Sequence, residues 1–255
     1  MRPVAMEQGM THVAARDSLK DRVILVTGAG TGLGRAAALA YAAHGATVAL
    51  LGRNEGNLTQ TYDVIVAAGG AEPALFPFDL NTADDVGFER LAEALAFHLK
   101  RLDGILHNAA AFYSLTTLQY QSLEQWQTLM RVNLIAPHAL TRACLPWLKE
   151  APDASVIFTG ETHGHAPAAY WGGFAISKAG LEDLTRIWSA ELENLPHIRI
   201  NTLIPGPVRS PFRVRTHPAE NLAALPSPED LMPWYLWLMG PDSRETRGQV
   251  IECRA

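Results

Sequence analysis

The 255-residue chain has a mass of 27.8 kDa, is 48% hydrophobic and 18% charged, and carries a formal charge of −5 from 21 Lys+Arg and 26 Asp+Glu. That apolar content excludes a disordered chain, and the mild acidic excess argues against a nucleic-acid binder, which carries a basic stripe. Residues 1–19 lack the apolar core of a secretory signal, no apolar run of about 18 residues occurs, and two cysteines cannot build a disulfide framework; a soluble, cytoplasmic protein with no membrane partner is expected.

Residues 1–20 show little periodicity and are read as an N-terminal arm, with 21–255 as one domain. No repeat at a period of about 20 to 50 residues interrupts it. Arg22–Thr27 is a short apolar run that reads as a strand, and the small residues of Leu33–Ala43 suit a closely packed helix. Strands are then expected at Ala46–Leu51, Pro73–Phe78 and Gly104–His107, with helices at Leu58–Ala68 and Ala83–Leu99 between them. A long helix is expected over Leu123–Leu148 despite Pro137 and Pro146. Ala154–Thr159 and Ile198–Ile204 read as strands flanking a helix at Phe174–Leu195, and a helix at Asp230–Met239 and a strand at Gln249–Glu252 close the chain. Apolar strands alternating with helices predict parallel strands covered on both faces. The expected fold is therefore α/β, a doubly wound parallel sheet of about seven strands, with ligands bound beyond the carboxyl ends of the strands.

The turn after the first strand is Thr27-Gly28-Ala29-Gly30-Thr31-Gly32-Leu33-Gly34. Glycines allow a tight turn and a close backbone approach to a pyrophosphate seated at a helix N-terminus. The strand before it and the helix after it are the context a Rossmann-type dinucleotide site needs. At the end of the second strand no carboxylate is available for the ribose hydroxyls of NAD; Arg53 follows Gly52 instead. An Arg here accommodates the 2′-phosphate of NADP, so NADP(H) is the preferred cofactor and NAD(H) the lesser one, unless Arg53 is only a solvated loop charge. Thr31 supplies no second basic position.

The spacing T-G-x-x-x-G-x-G resembles the short-chain dehydrogenase/reductase family. Asp79-Leu80 resembles its adenine-contact pair, His107-Asn108-Ala109-Ala110 its N-N-A-G turn, and Val132-Asn133 its catalytic-Asn position. Ser177-Lys178-Ala179 resembles the end of its active-site signature, and Pro205-Gly206-Pro207-Val208 its nicotinamide-side loop. Arg101–Asn108 and Leu231–Gly240 further resemble the bacterial YciK-like oxidoreductases. The resemblance implies a small-molecule carbonyl or alcohol substrate, an Asn–Ser–Tyr–Lys catalytic set, and a homodimer or homotetramer built on the long helix and the Lys178 helix.

Two of those four roles are altered. Asn133 and Lys178 are present, but the Tyr position, four residues before the Lys, is Phe174, which has no hydroxyl to transfer a proton. The Ser position falls on Glu161, or on Thr162 with a one-residue offset. Replacement acids are Glu161, His163 and His165 after the fifth strand, and Tyr170 one helical turn before Phe174; packing or loop roles for them stay open. The expectation is thus an oxidoreductase with a rewired site or, alternatively, a non-catalytic nucleotide-binding protein. No spaced His/Cys/carboxylate set suggests a metal site. Arg209, Arg213, Arg215 and His217, in the segment expected to be a lid, form a basic cluster that either attracts an anion or is a solvated loop.

Overall fold

The structure, a computed structural model, describes residues 12–253. Its strands are β1 Val23–Thr27, β2 Thr47–Gly52, β3 Ala74–Pro77, β4 Gly104–His107, β5 Ala154–Thr159, β6 Ile198–Ile204 and β7 Val250–Glu252. All pair in parallel, in the order β3-β2-β1-β4-β5-β6-β7. The helices are α1 Gly32–Ala43, α2 Glu55–Ala67, α3 Asp85–Leu99, α4 Leu123–Met130, α5 Ala136–Glu150, α6 Thr162–His165, α7 Gly172–Glu191, α8 Pro211–Thr216 and α9 Met232–Met239.

Strand β1 shows why the sheet is covered twice. Its side chains alternate in direction. Ile24 and Val26 enter one core with α1 and α9, while Val23 and Leu25 enter the other with α3, α5 and α7. A continuous apolar run is what two buried faces require. Strand order reverses between β1 and β4, whose ends pair as Thr27 with His107. The loops leaving these two strands diverge there and open a crevice.

The long helix is expected as one piece and is broken by a π turn at Arg131–Ile135, just before α5. Pro137 sits in the first turn of α5 and has no N–H to return to a carbonyl four residues earlier, and the π turn absorbs that mismatch. Pro146 is carried inside α5. Helix α2 begins three residues before the expected start because the Asn54 side chain caps it, accepting from Asn57 N–H at 2.9 Å. The short helices α6 and α8 lack apolar periodicity and were not expected. The N-terminal arm lies outside the described residues up to residue 11; beyond it, residues 16–21 form a turn. Leu19 there is fully buried in the α1/α9 core, so this part of the segment packs on the sheet domain. Among the described residues, no helix is long and apolar enough to cross a membrane.

Candidate active site

A cleft of about 860 Å³ runs along the carboxyl ends of β1, β2, β4, β5 and β6. One end is the glycine turn. Gly28 and Gly32 have φ of +69° and +54°, values that favour glycine. A Cβ on Gly30 would lie 2.7 Å from Asn57 Cβ, and one on Gly34 would collide with the Gly28 carbonyl oxygen. Thr31, the N-cap of α1, makes no side-chain cap bond, which leaves the first-turn N–H groups for an anion. Thr27 Oγ1 accepts from Asn108 N–H at 3.0 Å and Ala109 N–H at 3.1 Å, locking the β1 and β4 turns together. This cradle fits a pyrophosphate.

The other expected cofactor residues divide clearly. Gly28, Gly30, Thr31, Gly32, Leu33 and Arg53 line the cleft at the β1–β2 side. Asp79 and Leu80 follow β3, Asn108, Ala109 and Ala110 follow β4, and Pro205, Gly206 and Val208 follow β6; all reach the cleft. Gly34 does not line it. Its role is the close approach of α1 to the Gly28 carbonyl. Asn57 and Asn81 also line the cleft and were not anticipated. Asn54, a favoured N-cap residue type, carries the signal that starts α2 there and puts Asn57 in its first turn.

At the opposite end stands Lys178, in α7. Its Nζ is buried and donates to the Thr159 carbonyl oxygen at 2.7 Å. Burial lowers its pKa to about 8, with Glu161 pulling the other way. Lys178 Nζ faces the Phe174 ring, 5.9 Å from its centroid, as one turn of helix dictates. Phe174 lines the cleft, and its ring packs against Phe112 and Phe212 with centroids 5.3 Å away in each case. Asn133, in the π turn, is buried and does not line the cleft. It accepts from Ala111 N–H at 2.7 Å and donates to the Ala111 carbonyl and to Ser177 Oγ, so it ties the β4 loop to α7.

Glu161 and Thr162 both line the cleft, and Glu161 Oε1 lies 3.2 Å from His163 Nδ1. His163 also lines it and stacks on Trp171 at 3.9 Å and 13°. The structure does not bring Tyr170 into the cleft: it is 57% exposed at φ +75°, and its carbonyl accepts from Thr116 N–H. The turn before α7 points the phenol outward, one helical turn being no guide outside the helix. His165 points away, to Glu182 at 3.1 Å. Buried His107, beside β1, donates or accepts with Thr141 Oγ1 at 2.9 Å; burial, helped by Lys178, lowers its pKa to about 3.

The basic cluster of the lid is largely committed. Arg213 pairs with Glu220, with Nη2 to Oε1 at 2.7 Å. Arg215 donates to the Phe112 and Tyr113 carbonyls, and Arg209 to those of Leu222 and Leu225. These cations fasten the segment down instead of forming a free anion patch. Among the described residues no group of three or more His, Cys, Asp or Glu could hold a metal ion.

The family model for short chain dehydrogenases matches residues 22–221. The chain belongs to the short-chain dehydrogenase family. It is 39% identical to the uncharacterized oxidoreductase YciK of Escherichia coli K12 over 245 residues, 96% of each protein. It is 26% identical over 241 residues to a 3-oxoacyl-[acyl-carrier-protein] reductase FabG of Thermotoga maritima, covering 91% of this chain and 96% of that one. A solved E. coli YciK superposes with a TM-score of 0.93 at 39% identity, covering 96% of this chain and all of that one. A solved relative from E. coli CFT073, complexed with NADPH, gives 0.91 at 39% identity over 94% of this chain and all of that one. In this chain the glycine turn and Lys178 line one cleft, with Phe174 and Glu161 beside that lysine.

Proposed function

We propose that this short-chain dehydrogenase is an NADP(H)-dependent oxidoreductase acting on a small carbonyl or alcohol, with an altered acid/base apparatus. The observation that carries this reading is the continuity of the cleft from the glycine cradle to the buried ammonium of Lys178. Among the described residues Lys178 Nζ donates to the Thr159 carbonyl alone, which leaves donors for a nicotinamide ribose. Ala111, Val132, Phe174 and Phe212 line the far end, an apolar wall suited to a carbonyl with an apolar substituent. The nicotinamide, when bound, supplies or accepts the hydride. The chain holds and orients the two partners and excludes water from them. Turnover by the purified protein over a panel of aldehydes and ketones, followed at the NADPH absorbance, tests the reading. Phe174 favours a second reading, a nucleotide-binding protein without turnover, and the same panel separates the two.

Cofactor choice rests on Arg53, which is exposed at the rim of the cleft where a 2′-phosphate would lie. The complexes of relatives from E. coli CFT073 with NADPH and from Shigella flexneri with NADP support the same choice. Arg53→Ala is expected to weaken NADPH about tenfold, the scale of one charge-assisted bond, and to leave NADH almost unchanged. Equal or tighter NADH binding by the wild type in a fluorescence titration would refute this choice.

A homodimer or homotetramer is expected to bury α4, α5 and α7. Leu123, Ile135, Ile176 and Ile187 project there, each 43% exposed or more. Closed symmetry would pair these patches, and multi-angle light scattering at micromolar protein should give a multiple of 27.8 kDa; a monomer mass contradicts it. Free, buried Cys144 and Cys253 accord with a reducing, cytoplasmic location.

A further inference from the structure

We infer that His163, oriented by Glu161, is the proton donor and acceptor of this active site. The inference rests on the oxidoreductase reading above and names the group that replaces the missing phenol. Strand β5 delivers both residues: Thr159 at its end holds Lys178, Glu161 stands two residues on, and His163 lies in the helical turn that follows. Glu161 Oε1 is 3.2 Å from His163 Nδ1. A carboxylate oxygen accepts, so Nδ1 carries the hydrogen and Nε2 is the nitrogen left to exchange a proton. The stack on Trp171 at 3.9 Å fixes the ring plane. A carboxylate orienting an imidazole whose second nitrogen faces a reactant is a recurrent acid/base arrangement. His163 lines the same cleft as Phe174 and Lys178, and its partner in the stack, Trp171, lies 5.9 Å from Phe174 between ring centroids. The Phe174 ring and the imidazole therefore border one cleft.

The reaction balances with groups already named. In reduction the carbonyl carbon would take hydride from a bound reduced nicotinamide. The C=O π bond opens, and its oxygen takes the Nε2 proton of the imidazolium. New C–H and O–H bonds form. The imidazole is left neutral, with Nδ1–H still on Glu161, and regains its proton from solvent through the exposed side of the ring. Oxidation of the alcohol runs the same transfers backwards, with neutral Nε2 taking the hydroxyl proton.

His163 lies among charged groups. Glu161 adjoins it on its own segment, Lys178 faces Glu161 from α7, and Arg213 and His217 approach from α8 and its end.

The test uses the full-length protein and two readouts. His163→Gln should reduce kcat about a hundredfold on an aldehyde that the wild type reduces, within the usual range for lost acid/base help, with KM and the NADPH dissociation constant little changed. His165→Gln, whose ring lies on Glu182 outside the cleft, should leave kcat unchanged. Glu161→Gln should lower kcat about tenfold with KM and the NADPH dissociation constant little changed, and the double variant Glu161→Gln/His163→Gln should be no slower than His163→Gln alone, because the carboxylate acts only through the imidazole. Turnover that survives His163→Gln, or Glu161→Gln and His163→Gln slowing turnover additively, overturns this assignment and leaves the oxidoreductase reading standing. A wild type that binds NADPH and reduces nothing overturns both.

Discussion

Phe174→Tyr is expected to raise kcat for carbonyl reduction roughly tenfold or more, a modest share of what a positioned acid contributes. The substitution adds one oxygen to a ring already beside the ammonium of Lys178, whose Nζ is 5.9 Å from the ring centroid. That charge favours the phenolate and brings its titration toward neutral pH. The ring is clamped by Phe112, Phe212 and Trp171, with centroids between 5.3 and 5.9 Å, so the new hydroxyl has little freedom to turn away. Coupling to Glu161 gives the result its sign. In the wild-type background Glu161→Ser strips His163 of its orienting carboxylate and should slow turnover. In the Phe174→Tyr background the same change supplies a hydroxyl donor to the substrate oxygen while the phenol moves the proton, and it should speed turnover. Opposite signs in one double-mutant cycle are hard to obtain unless both residues act on one reacting atom. No gain in either Tyr-bearing variant, with NADPH still bound, would show that the far end of the cleft no longer admits a carbonyl.

Most of the fold was legible because burial on both faces leaves uninterrupted apolar strands, as in Val23–Thr27, where every residue is buried. The glycine turn was legible because backbone geometry forces residue type: at Gly28 and Gly32 a left-handed φ, at Gly34 a carbonyl where a Cβ would go. Gly34 also marks the limit of motif reading, since it serves helix packing and does not touch the cleft. Asn133 matched a motif whose physical role, bridging Ala111 and Ser177 from a π turn, no periodicity reveals. Tyr170 was placed by counting back one turn from Phe174, but α7 begins at Gly172, so the count left the helix. The lid arginines read as a free cluster because their partners, Glu220 and the carbonyls of Phe112 and Leu222, are brought to them only by tertiary structure. Stacking of His163 on Trp171, eight residues on, is likewise invisible to spacing rules.

Lys178→Met is expected to raise the thermal stability of the NADPH-free protein at pH 7 while weakening NADPH at least about tenfold, the scale of a lost bond from a charged donor. Burial holds the ammonium in an unfavourable medium and lowers its pKa from 10.5 to about 8. The sign follows from proton counting. Below pH 8 both folded and unfolded chains hold the proton, and the folded state bears the full cost of a buried charge. Between pH 8 and 10.5 the unfolded chain binds more protons than the folded one, so wild-type stability from this group rises with pH. Methionine fills similar space without the charge, at the loss of one bond to the Thr159 carbonyl, worth about 1 kcal/mol. The remaining gain corresponds to a few degrees in Tm for a chain of this length. It should shrink from pH 8 upward and reverse near pH 10.5, where only the lost bond remains. A Lys178→Met variant less stable at pH 7, with no convergence toward high pH, would mean that the ammonium stabilises the empty fold. The opposite outcome would identify a residue held at a cost to folding, which fits a group kept for the ligand that completes its bonds.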